Sequence, residues 1–130
     1  MLRYLPCLLL LAIAASVGCS SNNLGVSAVT GTVTMDQKPL AGGRVQFFPT
    51  DGRPSSGVTD ASGTYELNYI RDVMGAEPGQ HKVRITTDVL ELPNGRETRE
   101  TIPTRYNRNT ELMVEVKEGS NVFDFDLKSK

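Results

Sequence analysis

Tryptophan is missing from this 130-residue chain, histidine occurs once, and cysteine occurs twice. A single imidazole cannot build the multi-histidine zinc or iron sites that define many metalloenzymes. One cysteine, Cys7, lies within an apolar leader, so Cys19 has no partner for an intramolecular disulfide once that leader is removed. Charge of one sign is also scarce, with 14 basic residues against 15 acidic ones and a formal net charge of −1. Nucleic-acid binders normally carry a strong basic excess, so no nucleic-acid partner is expected. No apolar run reaches the roughly 20 residues that a membrane-spanning helix needs. After residue 18 there is no useful 3.6-residue periodicity, no heptad and no internal repeat.

The first 18 residues have the three parts of a secretory signal: a positive end at Arg3, an apolar run over residues 8–15, and a small-residue stretch, Ala15-Ser16-Val17-Gly18. Cys19 follows directly. Here the residues resemble a bacterial lipobox, in which a cysteine after a small residue is acylated, with a fatty acid such as palmitate, and becomes the mature N-terminus. Val17 and Gly18 match that pattern, and Ser16 stands where leucine is usual. The bland alternative is an ordinary thiol behind a plain signal peptide. The resemblance implies a lipidation site at Cys19 and a membrane partner reached through that lipid. Ser20, in place of Asp, favours the outer membrane by the sorting rule of bacteria with two membranes. The chain divides into a signal peptide (1–18), a small, polar tether (19–27) and one domain (28–130), a size that holds a single core.

Glycine (12 residues), threonine and valine are abundant, and 7 prolines punctuate the chain. Apolar and polar residues alternate in six segments, the signature of half-buried strands. The inward sets are Val29, Val33 and Met35; Val45 and Phe47; Tyr65, Leu67 and Tyr69; Val83 and Ile85; Leu112, Val114 and Val116; and Phe123, Phe125 and Leu127. A seventh short strand fits around residues 57–59. Turn residues such as Asp51-Gly52, Pro78-Gly79 and Asn94-Gly95 separate them. The expected fold is all-β, a single small antiparallel sandwich of about seven strands.

The run GTVTMDQKPLAGGRVQFF (31–48), with TDASGTYEL (59–67) and PGQHKV (78–83), resembles the carboxypeptidase regulatory-like, or transthyretin-like (prealbumin-like), β-sandwich. The later IPTRYN (102–107), residues 110–116 and residues 121–127 look like small lipoproteins abundant in planctomycete bacteria. The resemblance implies a seven-stranded sandwich with no established ligand, and a fold alone does not license a function. A purine-pathway hydrolase on the transthyretin-like fold relies on several histidines and a C-terminal Tyr-Arg-Gly-Ser. This chain has one histidine and ends Leu127-Lys128-Ser129-Lys130.

Few motifs could carry chemistry. Asp60-Ala61-Ser62-Gly63 has the look of the start of a calcium loop but lacks a third acid and a closing glutamate, so a tight turn is expected. Asp124 and Asp126, beside Glu115, read as a solvated acidic face, and His81 as a strand-edge residue. Ser55, Ser56 and Ser62 have no base to activate them. No catalytic residue, metal site or cofactor is expected. The long connection over residues 88–110 is the candidate partner contact, with Arg105, Tyr106 and Arg108 as its anchors. Its bland alternatives are a solvated excursion or a further hairpin around Asn94-Gly95, with the Tyr106 ring packed over the sandwich edge and its hydroxyl bonded to backbone.

The expected function is a non-catalytic, lipid-anchored envelope protein facing the periplasm or cell surface, whose sandwich binds an envelope protein or glycan or serves a structural role. Carriage of a small ligand or metal ion is the alternative, and a small hydrolase the third.

Overall fold

The computed structural model describes residues 24–130. Cys19, the signal segment and the first part of the tether lie outside the described residues. Within them the chain is a sandwich of two sheets, with one short 3-10 turn, Thr104–Tyr106, among the strands.

The first sheet is built around β1 (Ala28–Met35). On one side β1 pairs antiparallel with β2 (Lys38–Pro39) and β5 (Thr64–Glu66). On the other it pairs parallel with β10 (Ser120–Val122) and then β11 (Phe125–Leu127). The second sheet runs in the order β7-β6-β4-β3-β8-β9, antiparallel throughout: β7 is Val73–Met74, β6 Asn68–Ile70, β4 Ser55–Val58, β3 Gly43–Pro49, β8 Gly79–Thr87 and β9 Met113–Val116. The seventh strand expected near residue 57 is β4. The all-β sandwich expected from alternation is the fold observed, with the addition that the first and last strands run parallel.

Alternation explains the core. Val29 and Val33 of β1, Val45 and Phe47 of β3, Val83 and Ile85 of β8, and Phe125 and Leu127 of β11 are all buried between the sheets. The segment 64–70 switches sheets: Tyr65 sits opposite Gly31 of β1, whereas Asn68 pairs with Ser56 of β4. Buried Leu67 lies at the crossing, its N–H bonded to Val29 O at 3.0 Å and its carbonyl to Gly75 N at 2.7 Å.

His81 departs from the expectation of a strand-edge residue. It is fully buried on the inward face of β8 with Val83 and Ile85, its ring centroid 5.7 Å from that of Phe47. Its Nε2 lies 2.6 Å from Glu77 O. A carbonyl can only accept, so Nε2 is the donor in this contact, and Nδ1 is buried with no hydrogen-bond partner.

The ends of the sandwich are distinct. Ser27 exchanges backbone hydrogen bonds with Ala76, and Ala28 N reaches Gly119 O, so the chain enters at the end where β8 begins. β8 then runs to Thr87, opposite Gly43, at the other end. The long connection departs from there.

Candidate functional site

Residues 88–112 form an anchored excursion. Asp88 accepts from Arg44 Nε at 3.0 Å and from its Nη2 at 2.7 Å. Glu91 and Glu97 then bridge antiparallel, with Leu92 N bonded to Arg96 O at 2.6 Å, so Asn94-Gly95 turns a short hairpin. Val89 and Leu90 are exposed on it.

Beyond the hairpin, polar side chains replace missing sheet contacts. The Glu100 carboxylate accepts from Thr87 N, the Thr87 hydroxyl and Ile102 N, all at about 3 Å or less. Ile102 drops into the core. Pairing of β9 with β8 reaches Lys82 opposite Met113, and Val83 N still bonds to Leu112 O at 2.9 Å. Past that point the β8 carbonyls need other donors. The Thr110 hydroxyl donates to Val83 O at 2.7 Å, and buried Asn107 Nδ2 donates to Ile85 O at 3.1 Å while also reaching Ile102 O and Pro103 O. Buried backbone oxygens cost free energy when unpaired, so these two side chains set where the connection lies.

Arg105 and Tyr106 follow Pro103 on the 3-10 turn. The Arg105 guanidinium lies over the Tyr106 ring, 4.8 Å from its centroid, and its Nη2 donates to Lys128 O. Lys128 N donates to the Tyr106 hydroxyl at 2.9 Å. Partial desolvation pushes the phenol up, but that hydrogen bond, together with Arg105 and the Lys128 charge, outweighs it and holds Tyr106 below its ordinary value. Arg105, Tyr106, Asn109, Glu111 and Leu112 line a depression of about 410 Å³. Two of the three expected anchors thus come together. Arg108 does not line the depression, and its N–H donates to Asn107 Oδ1 at 2.7 Å. Tyr106 also packs its ring against the core, so the packing and backbone-bonded arrangement is present at the same residue that lines the depression.

The other candidates are occupied by structural work. Asp60 Oδ1 accepts from Ser62 N at 2.9 Å and Thr64 N at 3.0 Å, closing its own turn. Asp124 Oδ1 accepts from Thr32 N, and Asp126 Oδ1 from the Thr34 hydroxyl. Among the described residues no group of three or more His, Cys, Asp or Glu side chains could hold a metal ion. Ser55 Oγ is buried without a hydrogen-bond partner. Sequence reasoning missed Glu100, Asn107 and Thr110 as anchors. The inward position of His81 had a signal, its two-residue spacing from Val83.

No family model matches the chain, and no curated protein does. Among solved structures it is similar to a 9R-lipoxygenase from Cyanothece PCC8801, at 17% identity and a TM-score of 0.45, covering 80% of this chain and 16% of that one. It is also similar to a DUF3823 family protein from Parabacteroides merdae ATCC 43184, at 16% identity and a TM-score of 0.42, covering 77% of this chain and 44% of that one. The chain spans less than half the length of either.

Proposed function

We propose that the chain is a lipid-anchored, non-catalytic envelope protein, a transthyretin-like or carboxypeptidase regulatory-like module held to a membrane through acylated Cys19. The outer membrane is the favoured location, and the partner is an envelope protein or glycan. The observation that carries the reading is the polarity of the sandwich. The fold begins at Ser27, eight positions after Cys19, at one end, and the Asp88 connection leaves from the other. A tether of that length spans at most about 30 Å when extended, so the Ser27 end stays within that distance of the lipid surface and the Asp88 connection lies at the end opposite the tether.

The non-catalytic part is supported by how the reactive side chains are used. The imidazole of His81 is inside the core, and the aspartates bond to backbone or threonine. Small-ligand carriage is a second reading, favoured by the depression at Arg105 and Tyr106. Mass spectrometry of the mature N-terminus tests the anchor: an acylated Cys19 is expected, and an unmodified thiol or a retained 1–18 segment overturns it.

A further inference from the structure

The outward positions of the central strands β3, β4 and β8 of the six-stranded sheet carry cations without a carboxylate, the acid of this face being Glu115 on edge strand β9, opposite Gln80. Register aligns Asn68 of β6, Ser56 of β4, Gln46 of β3 and Arg84 of β8 in one row across four strands. The next row places Phe48 of β3 beside Lys82 of β8. No outward position of β3, β4 or β8 is acidic, although the whole chain carries a formal charge of −1. Arg44, the third cation of this face, is neutralised by Asp88, whereas Lys82 and Arg84 make no ion pair among the described residues.

Arg84 is the unusual member. Its Nε is buried with no hydrogen-bond partner, and its guanidinium carbon lies 5.8 Å from the centroid of the Phe48 ring. A guanidinium normally spends its donors on carboxylates or carbonyls. Here the aromatic ring holds it instead, and its terminal N–H groups are left for something outside the fold. Ser56 and Gln46 beside it make no side-chain hydrogen bond within the described residues, so both can donate and accept. Four strands at 4.7–4.9 Å spacing make this row about 14 Å long, the length of a few sugar rings.

We propose that this face docks an extended acidic polysaccharide, with Arg84 and Lys82 taking its carboxylates and Gln46 and Ser56 its hydroxyls. Charge complementarity selects an anion. A row of hydroxyl and amide groups suits a ligand that is rich in hydroxyls. The one aromatic ring on these rows is covered by Arg84, so unstacked bases would find no platform. The proposal deepens the envelope reading by naming a partner class, but it stands on a different surface from the Arg105–Tyr106 depression and does not depend on the anchor.

The test is affinity electrophoresis of the purified full chain through gels containing polygalacturonate, with dextran and duplex DNA as comparison ligands. Retardation by polygalacturonate alone is expected, weakened about tenfold by Arg84→Gln and about threefold by Lys82→Gln, with Lys38→Gln, an exposed cation on β2 of the other sheet, unchanged. Lys82 is exposed, so its variant keeps the test valid if Arg84→Gln is poorly folded. Absence of retardation, equal retardation by dextran or DNA, or full binding by the folded Lys82→Gln chain would overturn the proposal.

Discussion

The Tyr65 hydroxyl donates to the Phe123 carbonyl at 2.6 Å, reaching across β1 above Gly31. Residue 123 lies between the two strands that pair parallel with β1, so this bond ties the sheet-switching segment to the C-terminal strands. Glycine is required at 31 because a Cβ there would lie 1.9 Å from Phe123 O and 2.8 Å from the Tyr65 hydroxyl.

Gly31→Ala is therefore expected to destabilise the domain by about 3 kcal/mol, since the obstructing atom is backbone and cannot yield. Tyr65→Phe should cost about 1 kcal/mol by leaving a partly buried carbonyl without its donor. Burial, and secondarily the charge of Asp124, raises the Tyr65 phenol well above its ordinary 10.0. The unfolded chain then loses this proton first, so the stability it contributes is complete below pH about 10 and declines as pH rises further. Urea unfolding from pH about 8 to about 11 should show that decline in the wild type and a flatter limb in Tyr65→Phe.

Asn107 Nδ2, with two N–H groups, lies within hydrogen-bond reach of three backbone carbonyls from a buried position. Asn107→Ala should cost about 2–3 kcal/mol and raise hydrogen exchange or proteolysis within residues 100–112 before the sheets open. Unchanged stability with unchanged protease resistance would show that the connection is held by other means.

The strands were legible in the sequence because half-buried strands alternate, and residues such as Val45, Phe47, Val83 and Ile85 follow that rule without exception. The parallel pairing of β1 with β10 and β11 was not legible, since alternation fixes which face is inward and says nothing of neighbours. Neither were Glu100, Asn107 and Thr110. Their roles depend on which β8 groups lack a strand partner, and no local pattern encodes that. At the candidate site, Arg105 and Tyr106 were identifiable by residue type in a long connection, whereas their joint hold on Lys128 comes only from the fold.

Chelation should leave the melting temperature unchanged, because the Asp60, Asp124 and Asp126 carboxylates are each engaged with N–H or O–H donors of the protein itself. A rise of several degrees on adding calcium, measured by calorimetry or fluorimetry, would contradict this and show binding to the native state.

Tyr106→Ala should lower stability by about 2 kcal/mol, since it removes a half-buried ring packed against the core and the acceptor for Lys128 N. Arg105→Ala should change stability by less than about 1 kcal/mol, because its side chain is exposed. If the depression is a contact site, Arg105→Ala will reduce capture of an envelope partner while the melting temperature holds.

Membrane partition of the exported chain, with and without Cys19→Ser, tests the central claim most directly. Among the described residues no helix is long and apolar enough to cross a membrane; the proposed means of retention is a lipid on Cys19, which lies outside them. The wild type should sediment with membranes and resist extraction by salt, and Cys19→Ser should move to the soluble fraction with its fold intact. Equal membrane retention of Cys19→Ser, or a wild-type chain found free in the soluble fraction, would contradict the anchored reading.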